Sequence, residues 1–372
     1  MSDAVIAGYV RSSFHFAHKG ALARTRPDDL AAGVVRGLVK MTGIDPKDVE
    51  DLLLGCAFPE GEQGLNVARL ISFIAGLPQS VSATTINRFC GSSMQAIHSA
   101  AGAIALGAGE VFICAGIESM SRIPMMGFNP MPNPALAETM PASYVSMGIT
   151  AENVAKKYAI LRLEQEEFAV ASHVKAAKAQ SQGKLRDEIV GDGQDGCIRA
   201  DTSLQALAGL KPSFDQAGVV TAGTSSPLTD GAAACLVTSE AYAKAHGLKI
   251  TARIKSVAVA GCTPELMGIG PVAATRKALQ RAGLAIGDID IIELNEAFAS
   301  QALACIRDLK IDMNKVNLDG GALALGHPLG ATGARITGKA AALLKREGKQ
   351  FALATQCIGG GQGIATILEA VS

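Results

Sequence analysis

The sequence predicts an α/β protein made of two similar halves, the first interrupted by a loop-rich insertion. Three observations carry this. Short apolar runs alternate with helix-period segments up to Gly116 and again from Ile250 onward. Between them, from Glu118 to Thr150, the rhythm gives way to Met120, Met125, Met126, Met131, Met140 and Met147 interspersed with Pro124, Pro130, Pro132, Pro134 and Pro141. Finally, one pattern occurs twice: Cys90 precedes Gly91-Ser92-Ser93, a helix and a strand, and His327 precedes Leu329-Gly330-Ala331-Thr332-Gly333, a helix and a strand. That echo suggests a duplicated unit whose two equivalent turns face each other across one centre.

Composition agrees. At 372 residues the chain exceeds one ordinary core. Hydrophobic residues make up 48% and aromatics 4%, with Ala and Gly prominent, which suits helices packed closely on sheets. Lys+Arg and Asp+Glu both number 34, so there is no basic footprint for nucleic acid or an anionic membrane. The eight cysteines form no C-x-x-C pair and no disulfide framework, pointing to free thiols in a reducing compartment. The opening MSDAVIAGYVRSSF lacks the charge pattern of a signal peptide, and no apolar stretch is long enough to span a membrane. A cytoplasmic location is expected.

In chain order, Ala4 to Tyr9 reads as a strand. Arg26-Pro27-Asp28-Asp29 opens a helix to about Met41, with proline in the first turn and acids at the positive end. Asp51 to Cys56 is a strand, Gly64 to Ala75 a helix, and a β-prone run leads to Cys90, as expected of a mostly parallel layer. Met94, Ile97, Ala101 and Ile104 then recur at helical spacing before a strand at Val111 to Ala115. In the insertion, helices are expected from Thr150 to about Tyr158 and from Glu164 to Gln182, the second amphipathic with Phe168, Ala171, Val174 and Lys178 on successive turns. Later come strands at 250–259, 289–293, 351–356 and 363–369, and helices at 272–282, 297–307 and 333–347. The expected domains are residues 1–118 with about 229–249, an inserted loop domain at 119–228, and residues 250–372.

Four positions could carry chemistry. Cys90 lies on a tight turn opening a helix, where the dipole and free N–H groups would lower a thiol pKa and favour a thiolate. Asn295 falls where a strand hands over to a helix in ELNEAFAS. His327 sits between glycine and proline, on a rigid turn aimed outward. Cys357 ends a strand and is followed by four glycines within six residues, backbone that can offer N–H groups to an oxyanion. Singly, each has a structural alternative: a buried cysteine, a helix cap, a turn histidine, a hairpin. Together they supply a nucleophile, a base, a polar orienter and a second thiol, the set needed for acyl transfer through a thioester.

At this point the chain resembles the thiolases. The resemblance rests on NRFCGSSM around Cys90, MGITAENVA at 147–155, TAGTSSPLTDGAAA at 221–234, MGIGP at 267–271, NEAF at 295–298, GGALALGHPLGATGAR at 320–335 and CIGGGQG at 357–363, in family order across nearly the whole chain. It implies a five-layer α/β/α/β/α fold. It implies that Cys90 takes the acyl group and that His327 activates it and helps hold the enolate oxygen. Asn295 would hold a water completing that hole, and Cys357 would exchange the proton. The N–H groups of Cys90 and Gly359 would form a second oxyanion hole. Coenzyme A is implied as substrate, with no bound cofactor and no metal. Ser226 would lie near the pantetheine, Ala222, Phe214, Met147, Met267, Ala297 and Phe298 along its tunnel, and Arg199 by the adenine.

The segment Glu188 to Arg199 is shorter than in many thiolases, and Ser146 stands where biosynthetic members usually carry histidine. The short segment bears on the basic CoA contacts, whereas Ser146 together with NRFCGSS favours cleavage of 3-oxoacyl-CoA, with longer acyl chains, to acyl-CoA and acetyl-CoA. The alternatives are an acetyl-CoA acetyltransferase restricted to acetoacetyl-CoA, a ketoacyl synthase-like condensing enzyme, and a non-catalytic acyl-CoA binder. The resemblance also implies a homodimer or homotetramer and a possible multifunctional β-oxidation partner.

Overall fold

The computed structural model describes residues 3–371. The first half contains β1 (Ala4–Arg11), β2 (His15–Phe16), α1 (Pro27–Thr42), β3 (Asp51–Gly55), α2 (Val67–Ile74), β4 (Ser82–Ile86), α3 (Ser92–Leu106) and β5 (Val111–Ser119). The chain then forms α4 (Pro134–Thr139), α5 (Met147–Lys157), α6 (Arg162–Ser181) and α7 (Leu204–Ala208) before β6 (Thr229–Ser239) and α8 (Glu240–Ala245). The second half contains β7 (Ala252–Gly261), α9 (Gly270–Ala282), β8 (Ile291–Leu294), α10 (Ala299–Leu309), α11 (Ala322–Leu325), α12 (Leu329–Glu347), β9 (Phe351–Ile358) and β10 (Gln362–Glu369).

Local chemistry accounts for these boundaries. Pro27 starts α1, Asp28 and Asp29 occupy its first turn, and Gly43 closes it at φ +70°, a left-handed cap that glycine adopts at no steric cost. β1, β5 and β6 are buried along their whole length, as continuous apolar runs demand.

The strands run β4-β3-β5-β6-β1-β7-β10-β9-β8, with β2 on β6. The halves join where Val5 and Ile6 pair with Arg253 and Ala252. The mostly parallel layer expected from the early alternation is confined to β3–β4 and β3–β5, with β8–β9 in the second half. The other pairings are antiparallel, because β6 returns from the insertion beside β5 and because β9 and β10 form a hairpin. The duplication is visible in the pairing. β1, β3, β5 and β6 correspond in order and direction to β7, β8, β9 and β10. A single parallel bridge from Ile292 to Val316 stands where β4 stands in the first half.

Three apolar clusters define the layers. The central one joins Met94, Ile97 and Ile104 of α3 to Ala331, Ile336 and Leu344 of α12, between the two halves of the sheet. A second packs α1 and α2 outside β3 and β5, and a third packs α9 and α10 outside β8 and β9. The order is therefore helices, sheet, helices, sheet, helices. The two central helices approach so closely that a Cβ on Gly333 would stand 2.3 Å from the Met94 nitrogen.

Residues 120–228 contain no strand among the described residues. The four residues spaced along successive turns of α6 do not share its buried face. Phe168 is buried, but Val174 is 55% exposed, and the buried stripe continues through Ala169, Ser172, Ala176 and Ala179. Small residues sit there because α6 lies close against α11 and the Gly320 turn, where a Cβ would meet Ala176 at 2.6 Å.

Candidate active site

The Cys90 turn is built by its neighbours. Asn87 anchors it, its Nδ2 donating to the Ala57 carbonyl at 3.0 Å and its Oδ1 accepting from the Phe89 N–H at 2.8 Å. Phe89 then adopts φ +42°, left-handed and costly for a side chain with a Cβ. Ser92 holds the bend: the Arg88 N–H donates to its hydroxyl at 2.9 Å, and the hydroxyl donates to the Phe89 carbonyl. Cys90 therefore stands at the start of α3, as expected, packed among Ala57, Met120 and Leu329.

Its pKa runs opposite to expectation. Burial pushes the Cys90 thiol up to about 12, and the Glu118 charge adds to the rise. The Gly359 and Cys90 N–H groups pull the other way without overcoming desolvation. Burial wins over the helix dipole because the thiol has almost no water. At neutral pH Cys90 is a thiol that needs a base, not a preformed thiolate.

His327 supplies a neutral imidazole. It lies on the turn between α11 and α12, but it is buried at 4% exposure rather than aimed outward. Burial, with Arg335 in support, pushes its pKa down to about 3, so the imidazole is neutral. Its Nδ1 lies 2.6 Å from the Thr332 hydroxyl, whose own proton goes to the Pro328 carbonyl at 3.0 Å. With the hydroxyl proton on that carbonyl, Nδ1–H is the donor and Nε2 the acceptor nitrogen of the ring. Asn295 Nδ2 points at Nε2 from 3.4 Å. Asn295 is not the cap of α10, whose N-cap is Phe298.

Glu118, at the end of β5, ties the two turns together. Its carboxylate accepts from the Ala57 N–H at 2.8 Å, the Gly330 N–H at 2.9 Å and Gln63 Nε2 at 2.9 Å. Thr332 and Glu118 were not singled out from sequence. A charged residue ending an otherwise apolar strand was the available signal for Glu118.

Cys357 is buried on β9, its thiol raised well above the ordinary range by burial and by Cys90 nearby. The three glycines after Ile358 do form a hairpin turn, with Gly360 at φ +76° and Gly361 at φ +82°. Gly359 is buried within it and turns its N–H towards Cys90. Cys357 packs with Ala151, Val220, Met267, Ala297 and Phe298, and Met147 lies against the same cluster. The Phe214 ring meets that of Phe298 edge-on at 5.9 Å. The Ser226 N–H donates to the Ala297 carbonyl at 3.0 Å. Ala222 is exposed on a single turn just past Val220. Arg199 has other neighbours: its guanidinium lies 5.2 Å from the Phe16 ring centroid and its N–H donates to His173 Nδ1 at 3.1 Å.

Two buried thiols, on the α3 turn and on β9, and a neutral imidazole whose Nε2 faces Asn295 are a set of groups that suits reversible acyl transfer. Comparison with known proteins gives the family. The model of the thiolase N-terminal domain matches residues 4–241 and that of the thiolase C-terminal domain matches residues 248–370. The chain belongs to the thiolase family, and its five-layer architecture is the thiolase fold. It is 48% identical to the 3-ketoacyl-CoA thiolase of Bacillus subtilis (strain 168), over 99% of this chain and all of that protein. It is 46% identical to the 3-ketoacyl-CoA thiolase of Aliivibrio fischeri, with the same coverage. The crystal structure of the Bacillus anthracis acetyl-CoA acetyltransferase matches with a TM-score of 0.91 and 40% identity, over 100% of this chain and 99% of that one.

Proposed function

We propose that this protein is a 3-oxoacyl-CoA thiolase, an acyltransferase that cleaves 3-oxoacyl-CoA with CoA to a shortened acyl-CoA and acetyl-CoA. The single observation that carries the mechanism is the contact of His327 Nδ1 with the Thr332 hydroxyl. The Thr332 hydroxyl accepts the Nδ1–H hydrogen bond and so holds the proton on Nδ1, which lets Nε2 accept the proton of Cys90. The full-length similarity to 3-ketoacyl-CoA thiolases supports the substrate class.

In the forward direction, Cys90 passes its proton to His327 Nε2 and its sulfur attacks the 3-oxo carbon. The oxygen there becomes an oxyanion facing the Cys90 and Gly359 N–H groups. When it collapses, the bond between C2 and C3 breaks and the acyl group stays on Cys90. The electron pair leaves as the enolate of acetyl-CoA, whose oxygen faces protonated His327 and a water held by Asn295. Hydrogen bonds aimed at such charge are worth about 3–4 kcal/mol each. Cys357 gives the enolate carbon its proton. Its thiolate then takes the proton of incoming CoA, whose sulfur attacks the acyl-Cys90 thioester and expels the Cys90 thiolate, which recovers its proton from His327. A thiol is suited to that exchange, because it is neutral when protonated and the site is buried.

Residues 119–228 serve as the loop domain that shapes the CoA and acyl pocket. Met147, Met267, Ala297, Phe298, Phe214, Ala222 and Ser226 line the approach to Cys357. Arg199 contacts the adenine end of CoA, beyond that cluster. No metal or resident cofactor enters the reaction. The enzyme works in fatty acid β-oxidation in the cytoplasm, as a homodimer or homotetramer. The open edge of β4, with Leu65, Leu70 and Phe73 exposed beside it, supports self-association. Among the described residues no helix is long and apolar enough to cross a membrane.

Two half-reactions test the roles. Cys90→Ala should take no acyl group, whereas Cys357→Ala should still acylate slowly and fail at carbon–carbon cleavage. Equal loss of both half-reactions in both variants would sink the division of labour. The structural match to an acetyl-CoA acetyltransferase keeps a four-carbon specificity as the second reading. Thiolysis across a chain-length series separates them, since absence of turnover beyond acetoacetyl-CoA would select the acetyltransferase.

A further inference from the structure

Gln356 has a place in the site that the mechanism above does not use. It precedes Cys357 on β9 and is completely buried. Along β9, Ala352, Ala354 and Ile358 face the central helices, while Leu353 and Cys357 face outward. By alternation Gln356 faces the central layer, where α3 begins. There its Nε2 donates to the backbone carbonyl of Cys90 itself. Two further contacts bring the same turn against the β9–β10 hairpin. Arg88 Nη1 donates to Gln362 Oε1 at 2.8 Å, and Gly91 abuts Ile358, whose Cδ1 would lie 2.6 Å from a Cβ there.

The second observation is what Gln356 leaves unpaired. β8 and β9 are parallel with Leu294 beside Thr355, so Asn295 and Gln356 are neighbours on one face. Each uses its amide N–H within the site, on His327 and on Cys90. Each keeps a buried carbonyl oxygen, Asn295 Oδ1 and Gln356 Oε1, with no partner among the described residues. Buried amide oxygens of that kind are normally satisfied, and two side by side at the catalytic strand ends mark a place for a shared donor.

We propose that Gln356 is a positioning residue for acyl transfer. Its amide holds the Cys90 turn in register with the strand that carries Cys357, and its oxygen joins that of Asn295 in holding one water between the two strand ends. This rests on Cys90 being the acyl acceptor. The two thiols act in succession on the same substrate carbons, so their separation matters. A shift of about 1 Å in such a geometry costs up to about a hundredfold in rate.

The test uses the full chain with Gln356→Met and Gln356→Glu, followed by thiolysis kinetics from pH 6 to 9. Met keeps the volume and removes both polar contacts, so kcat should fall about ten- to a hundredfold, with KM within about twofold. Glu restores the donor only while protonated. Its activity relative to wild type should therefore fall as pH rises, because the ionised carboxylate faces the Cys90 carbonyl oxygen. Wild-type kcat in Gln356→Met, or equal impairment of Gln356→Glu at every pH, overturns the proposal. If Gln356→Met does not fold, the Gln356→Glu profile decides alone. Stoichiometric labelling of Cys90 by an acyl-CoA in the wild type separates the two levels. Its absence refutes the proposed function, whereas normal labelling with unimpaired variants refutes only the role of Gln356.

Discussion

Thr332→Val should slow acylation of Cys90 about tenfold to a hundredfold. Thr332 is 1% exposed, and valine replaces its hydroxyl by a methyl of similar size, so packing in the first turn of α12 is kept. What goes is the acceptor for the His327 Nδ1 proton, now 2.6 Å away. Leaving a buried donor unsatisfied costs roughly 1–3 kcal/mol, with the upper end applying once the imidazole has taken the Cys90 proton and is charged. Each 1.4 kcal/mol is about tenfold. The neutral ring can avoid the penalty by moving its proton to Nε2, but that tautomer faces the substrate as a donor and cannot act as the base. Both routes lower the acylation rate. Thr332→Ser keeps the hydroxyl and should recover most of it. The assay is single-turnover acylation of Cys90 by an acyl-CoA, read by stopped flow or quench. Acylation of Thr332→Val within about twofold of wild type would refute the assignment of Nε2 as the base.

Two predictions concern stability. Arg11→Met should destabilise the fold by about 3–5 kcal/mol in equilibrium denaturation, because it strands buried carboxylates. Arg11 is wholly buried and binds Asp195 at 2.6 and 2.7 Å and Glu188 at 2.8 Å, joining β1 to the segment after α6. A loss under about 1 kcal/mol would show that the pairing is not stabilising. The other prediction is a pH dependence. Burial pushes His98 to about 3, so the folded state holds it neutral, whereas the unfolded chain protonates it near 6.5. The unfolded state binds more protons between those values, so this group lowers stability as pH falls through the window. Buried Glu293, raised to about 7, acts in the opposite sense from pH 4.5 upward, so the test is a difference. His98→Gln should gain stability relative to wild type at pH 5 compared with pH 7, and a constant difference would contradict the argument.

Much of the site was legible because reactive residues at glycine-rich turns stand out against an Ala-rich background. Cys90, Asn295, His327 and Cys357 are each at a strand or helix end, and the structure places Asn295 against His327 and both thiols near the Gly359 turn. Thr332 and Gln356 were not legible. One is a small helix residue and the other a polar residue in a buried strand, and each acquires meaning only from the partner it reaches.

The amino-acid order by itself determined the alternation of strands and helices, the repeated turn-helix-strand unit and the residue types at the turns. These follow from local periodicity and backbone freedom. Tertiary structure decided the protonation states. Cys90 lies at a helix start, where the dipole favours a thiolate, yet packing removes the water a thiolate needs and the thiol is pushed up to about 12. Burial likewise holds His327 neutral, and the Thr332 hydroxyl turns its proton-free nitrogen inward. Desolvation depends on every element packed around the site. No local window contains that information, and for this pair it outweighs what the local sequence favours.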